Sequence, residues 1–109
     1  LAAYHFEHFE KGPFPKDRMI LLAKDPSPIV ARTMIAKLAE VPDQWAFDTL
    51  VELTESTNME IRCFAIDWLG GTKQKELARA ILEKLLLNDN PQVRKAAKSG
   101  LENLKSENI

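Results

Sequence analysis

DPSPIVARTMIAKLAEV, running from Asp25 to Val41, decides the fold because it recurs twice along the chain. STNMEIRCFAIDWLGGT (Ser56 to Thr72) and NDNPQVRKAAKSGLENL (Asn88 to Leu104) align with it at offsets of 31 and 32 residues. Self-similarity at such a period signals stacked structural repeats. The columns carry physical meaning. Ser27, Asn58 and Asn90 share one column, and each side chain is a favoured acceptor for the unpaired amides of a first helical turn. Pro28, Met59 and Pro91 follow, at the position where proline is favoured because its missing amide hydrogen costs nothing. Val30, Ile61 and Val93, then Met34, Ala65 and Ala97, then Leu38, Leu69 and Leu101 are spaced four and four residues apart. That spacing predicts one buried stripe on each helix.

A second helix precedes each of these. Met19/Leu22, Leu50/Leu53 and Leu82/Leu85 repeat at the same offsets, so the unit is a helical hairpin. Breaks are expected at Gly12-Pro13, Pro42-Asp43 and Gly70-Gly71-Thr72. Strand patterning is absent. The spacing predicts seven helices, over residues 2–11, 16–24, 28–40, 44–55, 59–69, 73–87 and 91–105. A hairpin of this size cannot bury its own apolar face and must stack on its copies. The expected fold is therefore all-α, an α-solenoid of stacked antiparallel helical hairpins, about three and a half repeats forming a single domain over residues 1–109. The start at Leu1 rather than at methionine suggests a piece of a longer protein.

Bulk properties agree with a packed globular domain: of 109 residues, 45% are hydrophobic and 28% charged. A formal charge of -1 supplies no global cationic field for nucleic acid. One cysteine, Cys63, forms no internal disulfide, which fits a reducing cytoplasm. The longest apolar run, Met19 to Ala23, is far short of the roughly 20 residues that span a bilayer. No basic stretch leads into an apolar region as in a signal peptide.

The repeated segments resemble the HEAT repeat, in particular the short HEAT-like class of phycobilisome lyases, whose helix opens as Asp-Pro-x-Pro-x-Val-Arg. The resemblance covers essentially the whole chain and implies the stacked-hairpin fold. In that family an arginine near the helix start and a preceding acid form a ladder. Here Arg62 and Arg94 hold the arginine column, while the first repeat has Ala31 there and Arg32 one place later. The acidic column reads Asp25, Ser56, Asn88, so isolated polar contacts are expected in place of a continuous ladder. Lys37, Trp68 and Gly100 are equivalent, which predicts that the Trp68 indole lies over Gly100 in the next repeat, with an exposed anchor as the rival reading. Ile35 and Ile66 are matched by Lys98, marking the last helix as a polar edge.

In HEAT-like proteins one helix of each hairpin, read here as the one that precedes each repeated segment, commonly lines the concave, partner-binding face. The resemblance thus implies a non-catalytic protein-binding or scaffold module. Its candidate contact residues are Asp17, Leu21 and Lys24, then Asp48, Glu52 and Glu55, then Lys84 with Ala80 and Leu87. Glu40 to Asp67 holds seven acids against one arginine, and Lys73 to Lys105 eight bases against four acids. Segregation of this kind suits a protein partner of mixed charge. Exposed ends of the stack also predict self-association. A bilin lyase component and a weak nucleic-acid module are the alternatives the family allows. For the second, the basic residues Arg94, Lys95 and Lys98, with Lys73, Lys75 and Arg79, lack interleaved aromatics for base stacking.

No cofactor is expected. Gly12, Gly70, Gly71 and Gly100 fit neither a dinucleotide fingerprint nor a P-loop. His5 and His8, in HFEHFE, stand at helical i, i+3 spacing, but a metal centre needs ligands from further elements and the chain has no other histidine. Phe6, which aligns with Leu69, and Phe9 are the informative letters there; the histidines and glutamates read as the wet side of a first helix.

Overall fold

Val41, Thr54 and Thr72 stand at the ends of helices for different local reasons, and between them the chain winds into successive hairpins. The computed structural model describes residues 15–107, with side chains through Lys105. Among these residues there are six α-helices: α1 (Lys16–Ala23), α2 (Pro28–Glu40), α3 (Gln44–Leu53), α4 (Met59–Trp68), α5 (Lys75–Leu85) and α6 (Pro91–Glu107). A short 3-10 turn, Leu69–Gly71, continues α4. The helix expected over 2–11 and the break at Gly12-Pro13 lie outside the described residues. The other six helices fall where the repeat places them, with ends moved by at most two residues.

Local chemistry explains the boundaries. Val41 takes an extended conformation (φ -82°, ψ 124°), as the residue before Pro42 must to avoid the ring, and α2 stops there. Thr54 ends α3, its hydroxyl donating to the Val51 carbonyl at 2.6 Å. The Thr72 hydroxyl does the same to Leu69 at 3.0 Å after the 3-10 turn.

The three helix starts read as a column share one device and differ in another. The amides of Ser27, Asn58 and Asn90 are each held by the side chain two residues earlier: Asp25 Oδ1 at 2.8 Å, Ser56 Oγ at 3.1 Å and Asn88 Oδ1 at 2.9 Å. An acid, a hydroxyl and an amide therefore do equivalent work, in the manner of Asx- and ST-turns. Capping proper is not shared. Asn58 Oδ1 accepts from Glu60 and Ile61, and Asn90 Oδ1 from Gln92, but the Ser27 side chain makes no capping bond. The expectation that all three cap is corrected at Ser27.

Packing follows the repeat. α1 pairs with α2, α3 with α4 and α5 with α6; α2, α4 and α6 then pack in succession, and α1 packs on α3. α5 rests on α6 and on the 3-10 turn. The extents, 41 × 32 × 19 Å, are those of a slab. The core runs through both layers and includes Met19, Ile35, Leu38, Leu50, Ile66, Leu69, Leu82, Val93 and Leu104. Two members of the expected stripe fall short: Val30 and Leu101 are half-buried, and in the last helix Leu104 is the fully buried leucine. Lys98 is exposed where Ile35 and Ile66 are completely buried.

The expected indole-on-glycine joint is also corrected. Trp68 is half-buried and covers Gly71 of its own turn, its ring tilted 54° against Phe64 with centroids 6.1 Å apart. Gly100 meets Gly70 instead. A Cβ on Gly70 would run into the carbonyl oxygen of Gly100, with the carbonyl carbon and Cα both at 2.9 Å. The joint is made backbone to backbone, because Gly70 lacks a side chain.

Candidate interaction surface

The α1, α3 and α5 side carries the residues expected to meet a partner. Each of these helices buries its apolar stripe against the companion helix of its hairpin, which turns the opposite stripe outward. Asp17, Leu21 and Lys24 on α1 and its cap, Asp48 and Glu52 on α3, Glu55 just beyond it, and Lys84 on α5 are all exposed. Leu21, at 72% exposure, is an apolar side chain set in this polar row.

Some of these residues are brought together. The Lys24 ammonium lies 3.0 Å from each oxygen of Glu52 and so ties α1 to α3. Asp48 accepts from the Gln44 amide at 2.8 Å within its own helix. The Glu55 carboxylate meets no partner among the described residues. Beside the ion pair an open groove of about 400 Å³ runs between the α1–α2 and α3–α4 loops, lined by Lys24, Asp25, Glu52, Asn58 and Ile61 among others. Lys84 belongs to α5, which is fastened to α6 and the 3-10 turn rather than against α3. Asp17, Leu21, Lys24, Asp48, Glu52 and Glu55 thus belong to two packed hairpins, and Lys84 to the third.

On the α2, α4 and α6 side the arginine column makes isolated contacts. Arg62 Nε donates to the Thr54 carbonyl at 3.2 Å, and Arg94 Nη1 to the carbonyls of Asn88 and Asp89 at 2.7 and 3.0 Å. Each closes its own hairpin loop. Arg32, displaced by one residue from that column, does something different: its guanidinium reaches Glu60 in the next hairpin at 2.8 Å and lies 5.4 Å from the centre of the Phe64 ring. Sequence reasoning missed this contact. A signal was present, since Arg32–Glu60 and Lys24–Glu52 both pair opposite charges 28 residues apart, three short of the 31-residue repeat. Both pairs are largely exposed, and pairs of this kind contribute about 0–1 kcal/mol each.

Cys63 is half-buried on α4, its sulfur 3.7 Å from Met59 Sδ and 3.7 Å from the Gln92 carbonyl. Burial pushes its thiol above the ordinary value, against a smaller downward pull from Arg62. A nucleophilic thiolate is therefore disfavoured. No three metal-ligating side chains gather among the described residues, and His5 and His8 lie outside them. No described helix is long and apolar enough to cross a membrane.

No curated protein matches the chain at a significant level. The family model for HEAT repeats matches residues 16–102, from the start of α1 through most of α6, and so takes in every hairpin described above. With matching hairpins at the matching period, the chain belongs to the HEAT-repeat family.

Proposed function

We propose that this chain is a HEAT-repeat α-solenoid domain that binds another protein without itself catalysing a reaction. The partner contacts the α1 and α3 side, through Asp17, Leu21, Lys24, Asp48, Glu52 and Glu55, with Lys84 on α5 as an outlying contact. The observation that carries this reading is the exposed row of three carboxylates, Asp48 and Glu52 on α3 and Glu55 just beyond it, of which only Glu52 is paired to a cation among the described residues, with Leu21 exposed on the neighbouring α1. HEAT repeats commonly mediate protein association, and an outward stripe of fixed charge selects partners and speeds encounter. A lone, unpaired cysteine thiol fits a reducing cytoplasm as the working compartment.

The test is affinity capture from native lysate with the chain and with a variant carrying Asp48→Lys, Glu52→Lys and Glu55→Lys, both checked for helical circular dichroism. The expected result is a partner captured by the original chain and lost by the variant while the helical signal is unchanged. Equal capture by both proteins rejects this face.

A further inference from the structure

Equivalent positions build two different seams between successive helices of the α2, α4 and α6 layer. In the seam between α2 and α4, Arg32 spans the gap, stacked over Phe64 and bonded to Glu60. One repeat on, the equivalents of Arg32, Glu60 and Phe64 are Cys63, Gln92 and Ala96. The long cation and the ring have become small side chains, and the carboxylate has become neutral. What results is an open trough of about 650 Å³ between α4 and α6. Met59, Cys63, Phe64 and Ala96 line it with sulfur, ring and methyl groups, and its walls carry Asp67 on α4 and Lys95 on α6.

We propose that this trough takes one aromatic side chain of a partner protein, carried in a segment with a basic residue on the Asp67 side and an acidic residue on the Lys95 side. Thioether sulfur makes favourable contacts with aromatic rings, and the volume lies in the range of pockets that hold a ligand group. The rim supplies the polarity of the segment. The Ser99 hydroxyl and the Asn103 amide both donate to Asp67 Oδ1, at 2.7 and 3.5 Å, which leaves Oδ2 without a partner among the described residues. Lys95 is exposed and has no partner among them either. An apolar centre within a charged rim is the setting in which aromatic anchors contribute most to binding. A lone arginine, the group the chain itself places in the first seam, is a poorer fit, because Lys95 repels it and the Glu60 carboxylate that also lines the trough is already bonded to Arg32. The trough is separate from the α1 and α3 side and does not depend on the function proposed for it.

The experiment titrates the isotope-labelled 109-residue chain with the peptide acetyl-Arg-Tyr-Glu-amide and follows backbone amide resonances. Saturable shifts are expected around Cys63, Ala96 and Ser99, and are lost when alanine replaces the peptide's tyrosine. Lys95→Glu is expected to weaken binding about two- to five-fold, the scale of an exposed charge pair. The peptide acetyl-Arg-Tyr-Arg-amide is expected to recover that loss on the Lys95→Glu chain. Refilling the trough with Cys63→Arg, Gln92→Glu and Ala96→Phe, which transplants the first seam, is expected to abolish the shifts; circular dichroism checks its fold, and Lys95→Glu carries the test if it does not fold. Absence of saturable shifts, shifts unchanged in the folded refilled chain, or shifts on α3 instead would each overturn the proposal. The last outcome would leave the α3 reading standing.

Discussion

Glycine 70 shows how much one side chain, or its lack, decides in this molecule. Its Cα faces the backbone of Gly100, itself in the interior of α6, where glycine costs about 1 kcal/mol relative to alanine. The Gly100 backbone can seat on the 3-10 turn only if Gly70 carries no Cβ, while a Cβ on Gly100 itself would press on the Leu82 side chain at 3.0 Å and the Ile66 carbonyl oxygen at 3.1 Å. Gly71, one residue on, is different: a Cβ there would meet Trp68 Cε3 at 3.4 Å, an ordinary contact. Gly70→Ala is therefore expected to destabilise the chain by about 1–3 kcal/mol, the range for overpacking against an unyielding neighbour. Gly71→Ala should change stability by less than about 0.5 kcal/mol. Urea denaturation of the two variants makes the comparison, and equal effects would remove the close approach as the explanation. The sequence marked Gly100 as a joint residue but not its partner. Trp68 was the conspicuous neighbour in the alignment, yet it packs on its own turn and on Phe64.

Helix starts were legible as a pattern and only partly legible as chemistry. The column of Ser27, Asn58 and Asn90 located three helices to the residue. Whether a side chain in that column caps depends on a rotamer, and rotamers are set by neighbours that a column does not display. At Ser27 the amide is held by Asp25 and the hydroxyl makes no cap; at Asn58 the side chain takes two amides. Asn58→Ala is accordingly expected to cost about 0.5–2 kcal/mol. Ser27→Ala, at the equivalent position, should cost less than about 0.5 kcal/mol. Thermal or urea melts of both variants distinguish the two starts, and a Ser27→Ala loss as large as that at Asn58 would contradict the assignment. The arginine column behaves likewise: Arg62 and Arg94 close their own loops, while a shift of one residue sends Arg32 across to Glu60.

Across the whole molecule, stacking makes equivalent residues unequal. Ile66 is fully buried on α4, the helix that packs against both α2 and α6, whereas Lys98 holds the same column in exposed form on α6. Ile66→Ala is expected to cost roughly 2–5 kcal/mol, the transfer loss plus the cavity left in a joint packed from both sides. Lys98→Ala should alter stability by less than about 0.5 kcal/mol. Chemical denaturation of the two variants checks this, and an Ile66→Ala loss no larger than that at Lys98 would mean the hairpins do not share a continuous core. The candidate α3 surface is also a property at this scale. Its exposure follows from the amphipathic period and was readable in advance, but the tie between Lys24 and Glu52 needed two hairpins set side by side.

By itself the sequence determined the period, the helical hairpin, six helix positions and the family, because these depend on local spacing: caps, prolines and apolar residues every three to four positions. Tertiary structure alone decided what fills each joint. Arg32 on Phe64, Gly70 against Gly100 and the open trough at Cys63 and Ala96 all involve residues nearly one repeat apart. Which of them touch depends on how far apart two helices settle and how each is rotated, and those quantities are set by packing side-chain volume between layers rather than by any single segment.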